Sequence, residues 1–135
     1  MRLVMVLAAL WFGAALAGCA TKTITLPPSQ EMPAAEGEAK LTRDANGNNV
    51  VQLKVKHFAP PQRLTPPKSV YVVWLETPNH DLYNLGQLKV NKDLEGTLMA
   101  VTPYEVFQLV ISAEDSPNVS EPGDQVVLRT RALAP

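Results

Sequence analysis

The residues of this chain that could do chemistry are few, and their spacing narrows them further. Asp44-x-Asn46-x-Asn48 sets three oxygen-bearing side chains at alternate positions. That is the opening of a calcium loop, in which hard oxygen ligands replace the water around a hard cation. Such a loop also needs Gly at its sixth position and Glu at its twelfth, and here those positions hold Asn49 and Val55. Asn46-Gly47 tolerates the positive φ of a hairpin turn, which accounts for the same residues without a metal. The two histidines, His57 and His80, reach the three convergent ligands of a zinc centre only if Glu76 or Asp81 joins them, and structural or solvent-exposed histidines account for them more simply. Nucleophilic catalysis finds no Gly-x-Ser-x-Gly elbow. The carboxylates Glu114, Asp115 and Glu121 fall in a polar loop where raised pKa values are not expected. No metal, cofactor or catalytic residue is expected, and the chain does not read as an enzyme.

The sulfur chemistry is more specific. Cys19 is the sole cysteine, which rules out an internal disulfide and any multi-cysteine metal site. It follows Met1-Arg2, an unbroken apolar run from Leu3 to Leu16, and the small residues Ala17-Gly18. A positive start, an apolar stretch and small residues in that order make a secretory signal peptide. The run is shorter than the ~20 apolar residues of a membrane span. Leu16-Ala17-Gly18-Cys19 resembles the lipobox of bacterial lipoproteins. The resemblance implies that the Cys19 thiol receives a diacylglyceryl group, that the signal is cut before it, and that the new amino terminus is acylated with a palmitate-like chain. Residues 1–18 are then the signal peptide, and the membrane is a partner through the lipid on Cys19. An Asp after the cysteine would resemble an inner-membrane retention signal. Ala20 stands there instead, so the resemblance implies an outer-membrane anchor facing the periplasm.

Composition sets limits on the rest. The formal net charge is −1, and the signal removes one more positive charge, Arg2. A chain without a basic surplus has little with which to neutralise phosphates, so nucleic acid is not an expected partner. The 12 prolines fall in clusters, and proline is tolerated neither inside helices nor in central strands. The gaps between clusters therefore mark the structured segments. Residues 19–37, rich in Thr, Pro, Ser, Glu and Ala, read as a flexible tether with a reach of about 23 Å as a coil.

The domain then spans 38–135. Ala39–Arg43 and Asn49–His57 flank the Asn46-Gly47 turn, and Val51, Leu53 and Val55 alternate with Gln52, Lys54 and Lys56, the period of a half-buried strand. Ser69–Glu76 carries apolar residues on both faces, as a central strand covered on two sides would. Leu82–Val90, Leu94–Val101, Tyr104–Ala113 and Asp124–Ala132 follow, separated by turns. About seven short strands at this spacing predict an all-β, immunoglobulin-like antiparallel β-sandwich, with a small barrel as the alternative. Trp74 and Tyr71 belong to the best strand and read as core. Tyr83 is open to either a core or a ligand-platform role.

Ser69-Val-Tyr-Val-Val-Trp-Leu-Glu76, Asn84-Leu-Gly-Gln-Leu88, Phe107 through Ile111-Ser-Ala-Glu114, and Pro122-Gly123 before Val126-Val-Leu128 form an ordered series. The series resembles the extracytoplasmic C-terminal domain of anti-sigma-K-type factors. Those regulators carry a cytoplasmic sigma-binding domain and a transmembrane helix, where this chain has the lipobox signal. The resemblance therefore implies a sandwich and a sensing or protein-binding role outside the cytoplasm, and no catalytic residue. The expected function is a lipid-anchored cell-envelope binding or interaction module with an envelope protein partner. The alternative is a structural or self-associating envelope lipoprotein. The turn Pro78–Asp81 and the loop Glu114–Gly123 are the candidate surfaces, expected at one end of the sandwich.

Overall fold

The computed structural model describes residues 20–131. The signal peptide expected over 1–18, with the lipobox-like residues Leu16, Ala17 and Gly18, and Cys19 itself lie outside the described residues. Among the described residues, eight strands form two antiparallel sheets. The first contains β1 (Lys22–Leu26), β2 (Glu36–Arg43), β3 (Asn49–Lys56) and β6 (Gly96–Thr102), in the order β1-β2-β3-β6. The second contains β4 (Val70–Glu76), β5 (Leu82–Leu88), β7 (Gln108–Glu114) and β8 (Val126–Arg129), in the order β5-β4-β7-β8. Because β3 pairs with β6 while β4 pairs with β7, the two sheets interlock. The chain crosses between them after β3, β5 and β6. This is the strand exchange of an immunoglobulin-like sandwich, the fold class expected from the spacing of the turns.

Side-chain period explains which faces meet. In β3, Val51, Leu53 and Val55 are buried while Gln52, Lys54 and Lys56 are exposed. In β4 and β7 alternate residues serve different cores: Tyr71, Val73, Leu75, Leu109 and Ile111 fill the space between the sheets. Val72, Trp74 and Val110 form a second cluster on the outer face. At the end of β3, His57 takes a left-handed φ of 54°. The turn it makes sends Phe58 inward, edge-on to Tyr71 with ring centroids 4.8 Å apart.

The tether expected over 19–37 is not what the fold contains. β1 pairs with β2 along its whole length, from Lys22 opposite Leu41 to Leu26 opposite Gly37. Ile24 and Leu26 are buried, and Met32 and Ala35 join the same core. Lys-Thr-Ile-Thr-Leu is a short alternating strand, and the Pro, Ser and Glu residues after it masked that pattern in the composition. Gly37 allows the close approach: a Cβ there would lie 2.8 Å from the Cβ of Leu26. The folded unit therefore begins at β1 rather than at residue 38, and only Ala20 and Thr21 of the described residues precede it.

Asp44 closes the β2–β3 turn. Its Oδ1 accepts the backbone N–H groups of Asn46 and Asn48, each at 2.9 Å, and its Oδ2 accepts the Asn48 side-chain amide at 3.2 Å. Gly47 supplies the positive φ, 81°. The oxygens that suggested calcium thus serve the hairpin. The N–H of Asn48 is the main cause that holds the Asp44 carboxyl below its ordinary 3.8. A lowered folded-state pKa stabilises the fold above the ordinary value and loses that contribution as pH falls through the lowered one. An NMR titration of the Asp44 carboxyl carbon is expected to have its midpoint below 3.8. A midpoint at or above that value would detach the carboxylate from the turn.

Candidate functional site

Antiparallel register decides which candidate residues can meet. Val70 pairs with Glu114 and Glu76 with Gln108, at the two ends of β4. The turn Pro78–Asp81 follows one end and the loop Glu114–Gly123 leaves the other. They are separated by the seven residues of β4, or about 20 Å. The expectation that they share one end is therefore corrected. The same register parts the histidines, since His57 precedes β4 and His80 follows it. No zinc site assembles from them, and among the described residues no three His, Cys, Asp or Glu side chains are placed to hold a metal.

His80 sits at a φ of 66°, with its Nδ1 2.9 Å from a Glu76 oxygen. The other Glu76 oxygen accepts from Arg129 at 2.6 Å. That carboxylate is held between two partners, which leaves it poorly placed to move protons. The adjoining cleft, lined by Thr77, Pro78, Val106 and Phe107, encloses about 180 Å³, below the usual range for a small-molecule site. A wider depression of about 420 Å³ lies among Glu36, Glu38, Lys40, Lys54 and Lys56. Its walls are charged side chains standing off the outer face of the first sheet.

The loop after β7 differs from its sequence reading. Glu114 is buried, not solvated. Its Oε1 accepts the Ser112 hydroxyl at 2.6 Å and the Gly123 N–H at 2.7 Å. Ser112 in turn accepts the Trp74 indole N–H at 2.8 Å. Asn84 clamps the loop by donating its amide to the carbonyls of Pro117 and Val119, at 2.9 and 3.1 Å. Val119 then packs on the Trp74 cluster. Asp115 is exposed beside Lys68, 3.4 Å away. The signal that could have found this network is Ser112 and Glu114 at alternate positions of a strand that is apolar from Leu109 to Ala113 apart from Ser112, since polar groups there need buried partners. Ser112→Ala leaves the indole N–H buried without an acceptor, at an expected cost of about 1–3 kcal/mol. A urea melt should show a lower midpoint, and an unchanged one would mean the network contributes nothing.

Trp74 and Tyr71, which read as core in the sequence, are buried in the structure. Tyr71 donates its hydroxyl to the Ala59 carbonyl at 2.6 Å, and burial pushes its phenol up. Tyr83 is different. It stacks on Tyr104 with centroids 5.4 Å apart, the two hydroxyls lie 2.9 Å from each other, and that bond holds the Tyr83 phenol above its ordinary value. Tyr83 (44% exposed), Tyr104 (38%), Met99 (64%) and Val101 (57%) are exposed large apolar side chains, all on or beside the neighbouring edge strands β5 and β6. Tyr104, Met99 and Val101 were not singled out in the sequence. The available signal was Met99 and Val101 on the solvent side of β6, opposite Gln52 and Val50 of β3.

No family model matches the chain, and neither the curated proteins nor the solved structures yield a match.

Proposed function

We propose that the chain is a lipid-anchored cell-envelope binding or interaction module, attached through Cys19, facing the periplasm and non-catalytic. The observation that carries this reading is the sole cysteine standing directly after Leu16-Ala17-Gly18 at the close of an apolar run. A thiol so placed is the acceptor that lipobox chemistry requires. The architecture is compatible with recognition, since a rigid sandwich presents loops and sheet edges to a partner. The best-placed carboxylates, Glu76 and Glu114, are already engaged by Arg129, His80, Ser112 and Gly123, which favours binding over catalysis. The anti-sigma-K-type resemblance over residues 69–128 adds a sensing or protein-binding role outside the cytoplasm. Ala20 after the cysteine favours the outer membrane.

Intact-mass spectrometry of the chain from native membranes tests the anchor. The expected mass is that of a chain beginning at Cys19 with acyl groups added, and an unmodified chain would overturn the anchor and the localisation together. Affinity capture with the detergent-solubilised lipidated protein tests the module. A partner retained at stoichiometric yield supports binding, whereas recovery of this chain alone supports the structural, self-associating alternative.

A further inference from the structure

The start of the fold constrains any anchor at Cys19. From Cys19 to Lys22, where β1 begins, there are three backbone steps, which reach at most about 11 Å. The polar layer of a bilayer is itself about 5–8 Å thick on each side. A lipid on Cys19 therefore seats one end of the sandwich against the headgroups. Register across the first sheet shows what else stands at that end. Lys22 pairs with Leu41, Leu41 with Val51 and Val51 with Ala100, so Val101 and Thr102 lie farther toward the anchored end than Lys22 does. The lateral distance from β1 to β6 is three strand spacings, about 14 Å. Ala20 and Glu105 line one depression with Arg43, which places the start of the described chain near Tyr104.

We propose that the corner formed by Val101, Met99, Tyr104 and Tyr83 rests on the phospholipid surface that holds the anchor. This proposal rests on the lipid-anchor reading above. Single exposed apolar side chains are ordinary on a protein surface; four gathered beside the tethered end are not. The chemistry suits headgroup depth. Tyrosine presents an apolar ring and a wet hydroxyl, the combination enriched at membrane–water boundaries. The nearby charges of Arg43 and Glu105 compensate one another at 3.2 Å. The more charged part of the first sheet's outer face, with Glu36, Glu38, Lys54 and Lys56, lies toward the opposite end by the same register. Contact stays shallow, because an open strand edge cannot carry unpaired N–H and C=O groups into hydrocarbon. The loops 57–69 and 115–125 then point away from the bilayer, toward the periplasmic space.

The test uses the full lipidated protein in vesicles of phosphatidylethanolamine and phosphatidylglycerol. Acylation consumes the Cys19 thiol, so Val101→Cys or Ser120→Cys introduces a single labelling site for an environment-sensitive fluorophore. Both positions are exposed, and a melting curve for each variant confirms the fold. The expected result is a blue shift and loss of fluorescence to headgroup spin-labelled lipid at position 101, with neither at position 120. If the protein floats with the vesicles while both labels report water, the docking surface is overturned and the anchor stands. If the protein does not float with them, the anchor reading fails and the docking surface with it. A label at 101 shielded equally in detergent, with a doubled mass, would assign the corner to a second copy of the chain and overturn the lipid contact.

Discussion

Trp74→Ala is expected to destabilise the domain by about 3–5 kcal/mol, the cost of truncating a large buried aromatic and leaving a cavity. Trp74 is fully buried, yet it does not belong to the space between the sheets. It fills a second cluster on the outer face of β4 and β7, with Val72 and Val110, under Val119. Its indole N–H also begins the chain of hydrogen bonds through Ser112 to Glu114 and Gly123. The loss should therefore be uneven. Amides of the loop after β7 should exchange faster with solvent, because local opening needs less energy once its packing is gone. Those of β3, buried in the other core, should lose protection only by the global destabilisation, with no added local opening. A urea melt with a clearly lower midpoint and an unchanged slope is the expected signature. A melting curve close to that of the wild type would move the ring out of the core. Trp74→Phe separates the two contributions, since it keeps most of the buried area and removes only the donor to Ser112.

Cys19→Ala should remove the protein from the membrane fraction. Each buried methylene of an acyl chain contributes about 0.8 kcal/mol; one chain holds only marginally, whereas two hold stably. Among the described residues no helix is long and apolar enough to cross a membrane, so the folded domain supplies no helical span of its own. The variant should lack the acyl mass and be extracted by carbonate, and its purified domain should melt as the wild type does, since the core contains no cysteine. Retention in the carbonate-washed membranes without the signal peptide would refute the anchor. The variant also bears on the lipid contact proposed for the β5–β6 corner, because without the anchor a few exposed apolar side chains should not hold the domain on vesicles.

Local signals carried most of the fold. The alternation of β3, the two-sided apolarity of β4, and the Asn46-Gly47 turn depend on covalent geometry and on neighbours a few residues away. Each was legible in the chain and each recurs in the structure. The calcium-like Asp44-x-Asn46-x-Asn48 was resolved at the same range, because the turn that uses the carboxylate closes within five residues. β1 was not legible in this way. Its five residues alternate correctly, but a strand that short is stabilised only by the edge of β2 it pairs with, and prolines directly behind it made the segment read as a tether.

What the sequence by itself determined is therefore every strand but β1, the sandwich class and a single thiol set in a lipobox-like context. All three are written in periodicity, turn chemistry and residue order. Tertiary structure alone decided that Pro78–Asp81 and Glu114–Gly123 lie at opposite ends, because antiparallel pairing of β4 with β7 reverses the chain between them. It alone buried Glu114 and brought Tyr83 onto Tyr104, 21 residues away in the chain. Those contacts join residues that share no local pattern. They exist only because burying the apolar faces of two sheets against each other fixes which edges and loops become neighbours.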